Sequence, residues 1–306
     1  MPGRPYIIVA NRLAGLGDAH RLVATVTHAL DTPPSAVIDA DVGVAFKQQL
    51  NDALRAANGD AAASTASRAL LVCIGGDGTV SLAFDALASP DSVTLAVVPC
   101  GSGNDLAQTL GIKTTSEAID VLRSGLDAAI DFGTVNGRRF LNSVGMGLDA
   151  EVAVMAARIR ERVAARGFSY YLAALRGLLM VKPVAATVRT ADLELRVEDL
   201  AMFTVGNGGW YGGGFHGAPR AQLDDGVFDC YAIRDPHGLA RRFALMQRIR
   251  AGTHADEATV TEFRTAVLDV SFERVVAMHV DGELTHAQEA HVELVRLGAR
   301  IIAPAS

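Results

Sequence analysis

Three glycines surround a single aspartate in Gly75-Gly76-Asp77-Gly78-Thr79, which lies between an apolar run at 70–74 and a helical pattern at 80–87. A helix that begins directly after a strand has backbone N–H groups without partners, and these groups attract phosphate oxygens. Glycine lets the backbone come close to such a ligand. The loop therefore predicts a phosphate cradle to which Thr79 adds a hydroxyl. The alternative is a plain turn in which Asp77 caps the helix.

Two further loops repeat this arrangement after other predicted strands. Gly101-Ser102-Gly103-Asn104-Asp105 follows an apolar run at 95–98, and the loop at 11–17 follows a run at 6–10. Ligands bind beyond the carboxyl ends of parallel strands, so all three loops are expected at one ligand-binding edge. Because a carboxylate repels phosphate unless a cation lies between them, Asp77 indicates a nucleotide bound with Mg²⁺. The chain has no Gly-Lys-Ser or Gly-Lys-Thr, so none of the loops is a P-loop.

The spacing of apolar residues predicts the elements that position these loops. In the first 130 residues short buried strands, including a weak one at 37–38, alternate with helices such as 45–57. This alternation is typical of a doubly wound α/β domain.

The pattern changes near residue 130. Asn136-Gly137 lies between the apolar segments 132–135 and 138–144 and suits the type I′ turn of a β-hairpin. A helical segment is predicted at 151–181. Short alternating strands then follow, at 193–197, 227–233 and 275–280.

These patterns predict two domains of different architecture. An α/β nucleotide-binding domain is expected at residues 1–130 and a mostly antiparallel β-sandwich at 131–306. In this prediction, the C-terminal tail can return to the first domain.

Composition and charge exclude several classes of protein. The chain has 306 residues, of which 50% are hydrophobic and 20% charged, as in a folded globular protein. Its formal net charge of −6 gives no nucleic-acid footprint. The three cysteines match no zinc spacing, and no apolar run suits a transmembrane helix or a signal peptide. We therefore expect a cytoplasmic protein.

The motifs together resemble the catalytic domain of diacylglycerol kinases and related soluble lipid kinases. GGDGT at 75–79 is followed by PCGSGNDLA at 99–107, and the resemblance continues at 131–152, 206–230 and in VDGE at 280–283. NAD kinases share the GGDGT loop, whereas GSGNDLA is similar to the lipid-kinase branch. The resemblance implies an α/β domain and a β-sandwich with ATP and lipid between them. It also implies transfer of the γ-phosphoryl group of Mg-ATP to a lipid hydroxyl.

The resemblance also implies which residues form the site. It places the proposed base at Glu283, with Asp281 next, and puts Asp77 in the water shell of Mg²⁺. A structural Mg²⁺ is implied at the Asp225 side chain and the carbonyls of Gln222 and Val227, since oxygen ligands suit a hard cation. The nucleotide contacts, completed by the second glycine loop, are Asn11, Ala14, Gly15, Gly75, Gly76, Asp77, Gly78, Thr79, Gly101, Ser102, Asn104 and Asp105.

Some positions depart from the family pattern and leave alternatives open. Arg12 stands where relatives usually have Pro, and Ser81-Leu82 replace an Asn-Glu pair, which removes a charge near the site. The acceptor is diacylglycerol in the simplest reading. A sphingoid base, another lipid alcohol or NAD is the alternative acceptor, and a nucleotide- or lipid-binding relative with weakened catalysis is the alternative class.

A lipid acceptor requires contact with a membrane surface. The segment 157–182 combines five arginines with aromatic residues, and a second basic cluster contains Arg241, Arg242, Arg248 and Arg250. Such segments suit anionic membranes, and the alternative is an ordinary helix with its apolar face on the sandwich and its arginines in water. We therefore expect a peripheral contact with the membrane. Members of the family often pair, so a homodimer is an open alternative.

Overall fold

The computed structural model describes residues 4–11, 19–40, 43–59, 68–148, 150–152, 176–177, 179 and 182–305. The chain divides into two compact units. The N-terminal unit comprises Met1–Ile130 with Arg296–Ser306, and the C-terminal unit comprises Asp131–Val295. Among the described residues, no helix has the length and apolar character needed to cross a bilayer.

The N-terminal unit is an α/β unit. Its strands are β1 (Tyr6–Ala10), β2 (Ala36–Asp39), β3 (Ala69–Gly75) and β4 (Val93–Pro99). Its helices are α1 (Ala19–Leu30), α2 (Val44–Asn58), α3 (Asp77–Ala86), α4 (Asp105–Thr109) and α5 (Thr115–Ser124). Every residue of β1, β3 and β4 is buried, as expected for parallel strands covered on both faces. The predicted α/β architecture is therefore confirmed, including the weak strand at 37–38.

The order of its strands places the glycine loops. The order is β2-β1-β3-β4, and β4 then pairs in parallel with the end of β13 (Glu283–Ala303) through Leu95 and Ile301. In this doubly wound order the direction in which strands are added to the sheet reverses between β1 and β3, and such sheets bind ligands at this switch point. The Asn11 amide donates to the Ile74 carbonyl at 3.2 Å, so the ends of β1 and β3 lie side by side there.

The C-terminal unit is built from antiparallel strands. From residue 126 onward the strands before β13 are β5 (Leu126–Val135), β6 (Arg138–Phe140), β7 (Ser143–Gly147), β8 (Val184–Arg189), β9 (Glu194–Gly206), β10 (Phe228–Arg234), β11 (Val260–Thr265) and β12 (Val267–Val280). Both residues of the predicted Asn136-Gly137 turn have positive φ (49° and 82°), as a type I′ turn requires. The hairpin is confirmed, but the strand predicted at 138–144 is two strands, because the chain bends at residues 141–142.

Two long strands hold the sandwich together. One half of β9 pairs with β7 and its other half with β8, and β12 divides in the same way. The register of β12 shifts between Ser271 and Val276, and an irregularity of this kind lets a strand bend. Apolar side chains from these strands and from β6 and β10, such as Phe140, Phe203 and Phe228, fill the core.

One helix of the C-terminal unit is absent from the sequence prediction. Helix α6 (Leu239–Ala251) lies where only strands were expected. Glycines precede and follow it, and Leu245, Met246 and Ile249 form its buried face. These are ordinary helix signals, but from the sequence the four arginines of the segment indicate a basic cluster and not a helix. Most of the helix predicted at 151–181 lies outside the described residues.

Candidate functional site

The glycine loops at 75–79 and 101–105 touch backbone to backbone. The Cys100 amide donates to the Gly75 carbonyl at 3.0 Å. A Cβ atom on Gly101 would lie 2.4 Å from the Cα of Gly76, so a side chain cannot be accommodated there. The glycines at these positions are therefore required for the packing of one loop against the other. From the sequence, these glycines are predicted only to let the backbone come close to a ligand.

Asp77 joins the same two loops through its side chain. Its Oδ1 accepts hydrogen bonds from the Asp105 amide at 2.6 Å and the Leu106 amide at 3.3 Å. Burial raises the pKa of Asp77, and the hydrogen bonds from these backbone amides oppose that shift. The Asp77 carboxylate thus caps helix α4, which begins at Asp105. This role is close to the alternative interpretation of Asp77 as a helix cap, but the capped helix is the next one along the chain.

The cap decides which helix N-terminus can receive a phosphate. The first amides of α4 are already bound to Asp77. Helix α3 has Gly76 at its N-cap and no side-chain cap, and its second residue, Gly78, has no carbonyl partner within the helix. The start of α3 is therefore the better candidate for a phosphate contact.

The other predicted nucleotide residues divide into loop-forming and exposed positions. Asn104 adopts a left-handed conformation, and its side chain accepts from the Gly101 amide at 2.9 Å and donates to the Gly101 carbonyl at 3.1 Å. The Thr79 side chain is buried against Gly75. Gly78 and Ser102 are partly exposed. Ala14 and Gly15 lie outside the described residues.

Replacing Asp77 by alanine is expected to loosen the junction of the two loops. Loss of a helix cap costs about 1–2 kcal/mol, and the freed amides of Asp105 and Leu106 should exchange with solvent faster. Hydrogen exchange of these two amides and urea denaturation measure the effect. Asp120→Ala is the matched control, since Asp120 is an exposed acid of α5 in the same unit. Unchanged exchange at 105 and 106 in Asp77→Ala would contradict the capping role.

In the C-terminal unit, Asp281 and Gly282 form the tight turn between β12 and β13. Their φ angles are 49° and 84°, and Val280 pairs directly with Glu283, which is a type I′ hairpin. The turn places these neighbouring acids in different surroundings: Asp281 is only 7% exposed, whereas Glu283 lies on the surface of the unit.

The Asp281 carboxylate is bound to three consecutive backbone amides. It accepts from Leu141 at 2.8 Å and from both Asn142 and Ser143 at 2.9 Å. These are the residues at which the chain bends between β6 and β7. The carboxylate therefore holds this bend to the β12–β13 turn, and its engaged oxygens make it a poor candidate for removing a proton from a substrate. The arrangement favours Glu283 as the base.

Two asparagines that the sequence did not single out extend this network. The Asn142 carbonyl accepts from the amides of Asn207 and Gly208, both at 2.8 Å, and its side chain donates to the Trp210 carbonyl at 2.5 Å. The Asn207 side chain donates to the carbonyls of Asp131 and Leu141. The glycine-rich loop that follows β9 is thereby tied to the Asp281 bend. Both asparagines lie inside motifs of the resemblance, which was the available signal.

Aromatic side chains follow in the same loop. The rings of Trp210 and His216 stack with centroids 4.2 Å apart and planes 7° from parallel. Burial lowers the pKa of His216. The nearby sequence Gly212-Gly213-Gly214 has positive φ throughout and makes the sharp reversal between Tyr211 and Phe215.

The predicted structural metal site has an arginine at its carboxylate. Asp225 Oδ1 accepts from the Val227 amide at 3.2 Å, and its Oδ2 pairs with Arg264. The Gly226 amide donates to Asp131 at 2.7 Å, which ties this turn to the start of the unit. Within the described ranges, no group of three histidine, cysteine, aspartate or glutamate residues could hold a metal ion.

Both halves of the chain match known protein families. Residues 5–135 match the diacylglycerol kinase catalytic domain, and residues 142–302 match the YegS C-terminal NAD kinase beta sandwich-like domain. These matches cover the α/β unit with its glycine loops and the β-rich unit with the Asp281 turn.

Individual relatives agree with this assignment. A Stenotrophomonas maltophilia (strain K279a) protein named "Probable lipid kinase YegS-like" is 29% identical over 254 residues, 77% of this chain and 79% of that protein. The diacylglycerol kinase of Bacillus subtilis (strain 168) is 28% identical over 218 residues, 70% of this chain and 71% of that protein. In fold, the chain is similar to the crystal structure of a diacylglycerol kinase from Bacillus anthracis str. Sterne, with a TM-score of 0.71 and 18% identity over 98% of this chain and 97% of that chain. The chain belongs to the diacylglycerol kinase catalytic-domain family.

Proposed function

We propose that this chain is an ATP- and Mg²⁺-dependent lipid kinase that transfers the γ-phosphoryl group of ATP to a lipid hydroxyl, most simply that of diacylglycerol. The observation that carries the proposal is the junction of the two glycine loops through Asp77, which leaves the start of α3 at the switch point of a doubly wound sheet. Membership of the family and the names of the relatives support a lipid acceptor.

Binding of the nucleotide is assigned to backbone groups. The amides at the start of α3, together with the helix dipole, would hold phosphate oxygens without any movement of side chains. Asp77 keeps the two loops in register for this purpose. Mg²⁺, when bound with ATP, supplies neutralisation of the phosphate charge.

Activation of the acceptor is assigned to Glu283. A lipid hydroxyl attacks the γ-phosphorus as its O–H proton passes to the Glu283 carboxylate; the new bond joins the lipid oxygen to phosphorus, and the bond from the γ-phosphorus to the bridging oxygen of ADP breaks. Asp281 acts as a positioning residue, because its three amide hydrogen bonds hold the turn that carries Glu283.

Incubation of the protein with γ-labelled ATP, Mg²⁺ and mixed micelles of candidate lipids tests the proposal. Label is expected on diacylglycerol. Label on a sphingoid base or another lipid alcohol would change the acceptor but keep the class. Label on NAD would instead assign a soluble acceptor, and nucleotide binding without any transfer would leave a binding protein.

Access to a lipid requires a surface that meets the membrane, and helix α6 has the chemistry for this contact. The helix contains four arginines and no acidic residue. Arg242 pairs with Asp235 and Arg248 with Glu257, whereas Arg241 is exposed. Leu239 and Phe243, one helical turn apart, are 53% and 41% exposed. Exposed apolar side chains on a helix that also exposes an arginine suit the interface of an anionic bilayer.

We expect the double variant Arg241→Gln/Phe243→Ser to bind anionic vesicles at least about tenfold more weakly. It removes one cation worth about 1 kcal/mol and an aromatic side chain whose burial in the bilayer is worth about 2 kcal/mol. Co-sedimentation with phosphatidylglycerol vesicles measures the difference. Arg274→Gln/Val275→Ser is the matched control, because Val275 is 56% exposed on β12. Equal binding of both variants, or equal binding to neutral vesicles, would exclude α6 as the membrane contact.

A further inference from the structure

Arg264 lies at the centre of a group of charges in the C-terminal unit. It is directly opposite Asp229 in the antiparallel pairing of β10 and β11, and its Nε lies 3.4 Å from Asp229 Oδ1. Its Nη2 pairs with Asp225 in the turn before β10. A single guanidinium therefore serves two carboxylates, one from the strand and one from the turn.

Asp229 depends on that guanidinium. The residue is fully buried, and neither of its carboxylate oxygens accepts a hydrogen bond in the part of the chain that the structure describes. Burial raises the pKa of Asp229, and the charge of Arg264 opposes the shift. A buried carboxylate without hydrogen bonds requires a compensating cation close by.

The same place is where the family resemblance implies a structural Mg²⁺, and the residues present do not fit that ion. Both oxygens of Asp225 are engaged, one by the Val227 amide and one by Arg264. A dication on the Asp225 side chain and the carbonyls of Gln222 and Val227 would compete with a guanidinium for the same carboxylate. The bound dication and the guanidinium of Arg264 would both contact this carboxylate, and two positive groups that close repel each other.

We propose that Arg264 supplies, from the protein itself, the positive charge that a bound Mg²⁺ is expected to supply at this turn in relatives. The turn at 222–227 is then ordered without a divalent cation, and removal of Arg264 converts Asp225 and Asp229 into a site that needs one. The proposal concerns stability and stands apart from the kinase activity.

Thermal unfolding in excess Mg²⁺ and in EDTA, without nucleotide, tests the proposal, with Trp210 as the only tryptophan and therefore as the reporter of its own unit. Wild type is expected to have the same melting temperature in both conditions. Arg264→Ala is expected to melt about 5 °C lower in EDTA, and Mg²⁺ should restore at least half of the loss because the ion binds only the folded state.

Two variants control for the loss of charge and for the ligand. Arg220→Ala removes a neighbouring arginine that pairs with Glu262 instead of Asp225 or Asp229, and it should show no response to Mg²⁺. In Arg264→Ala/Asp225→Asn the restoration by Mg²⁺ should disappear. A wild-type protein that is destabilised by EDTA overturns the proposal, as does an Arg264→Ala protein that ignores Mg²⁺. If Arg264→Ala does not fold in EDTA, its folding in Mg²⁺ supports the proposal. An Arg264→Ala protein that stays unfolded in Mg²⁺, while Arg264→Lys folds, counts against it.

Discussion

Replacing Glu283 by glutamine is expected to lower the rate of phosphoryl transfer to lipid by about 10²–10⁴-fold, the usual contribution of a positioned general base. Glutamine has the same shape but cannot accept the proton of the acceptor hydroxyl. Because Glu283 lies on the surface after the turn, the free energy of unfolding should change by less than about 0.5 kcal/mol. Transfer of label from γ-labelled ATP to diacylglycerol in mixed micelles measures the rate.

Glu293→Gln is the matched control for this loss of charge. Glu293 lies on the same strand β13 and is also exposed. Its removal should leave the rate within about twofold of wild type, because an exposed charge away from the reacting groups contributes little. A Glu283→Gln protein as active as wild type, or a Glu293→Gln protein equally impaired, would take Glu283 out of the mechanism.

The local features of the fold could be predicted from the sequence because their causes are local. The buried strands β1 and β3 are continuous apolar runs. The residue types of Asn136-Gly137 are enough to predict the turn of a hairpin. The paths of the long strands could not be predicted in this way. Only the end of β12 was expected as a strand, since its first half pairs with β8, about 80 residues earlier in the chain, and local spacing carries no record of that partner.

The candidate site divides along the same line. From the sequence, Asp77 is predicted either to bind a cation associated with phosphate or to cap its own helix. Both predictions depend only on the residues next to Asp77 in the chain. Its partners are the amides of Asp105 and Leu106, 28 and 29 residues later. The sequence does not single out Asn142 and Asn207 for the same reason, because their importance comes from hydrogen bonds between separate loops.

The adjacent acids of the Asp281-Gly282-Glu283 turn show how backbone geometry separates roles that sequence treats alike. The two positive φ angles reverse the chain within two residues, so Asp281 turns into the unit and Glu283 begins the next strand on its surface. A carboxylate that is already bound to three amides stabilises structure, and one that is exposed can exchange a proton. The division predicts that substitutions at the two positions fail in different ways.

Asp281→Ala is expected to lower the free energy of unfolding of the C-terminal unit by on the order of 3–5 kcal/mol. The substitution leaves the amides of Leu141, Asn142 and Ser143 without their acceptor, and each unsatisfied buried N–H costs about 1–3 kcal/mol, less where water can enter. Alanine at a positive φ adds about 1 kcal/mol. Urea denaturation followed by the fluorescence of Trp210 reports this unit, because the Asn142 side chain donates to the Trp210 carbonyl.

Asp31→Ala separates the backbone cost from the loss of the hydrogen bonds, with its unfolding followed by circular dichroism because Asp31 lies in the N-terminal unit, which Trp210 does not report. Asp31 also has a positive φ of 54°, but its side chain is exposed, so only the cost of about 1 kcal/mol is expected there. Asp281→Asn should fall between the two, since asparagine tolerates the left-handed conformation and keeps one acceptor oxygen. If Asp281→Ala were no more destabilising than Asp31→Ala while abolishing transfer, Asp281 would act on the substrate directly, and the division of labour between Asp281 and Glu283 would be wrong.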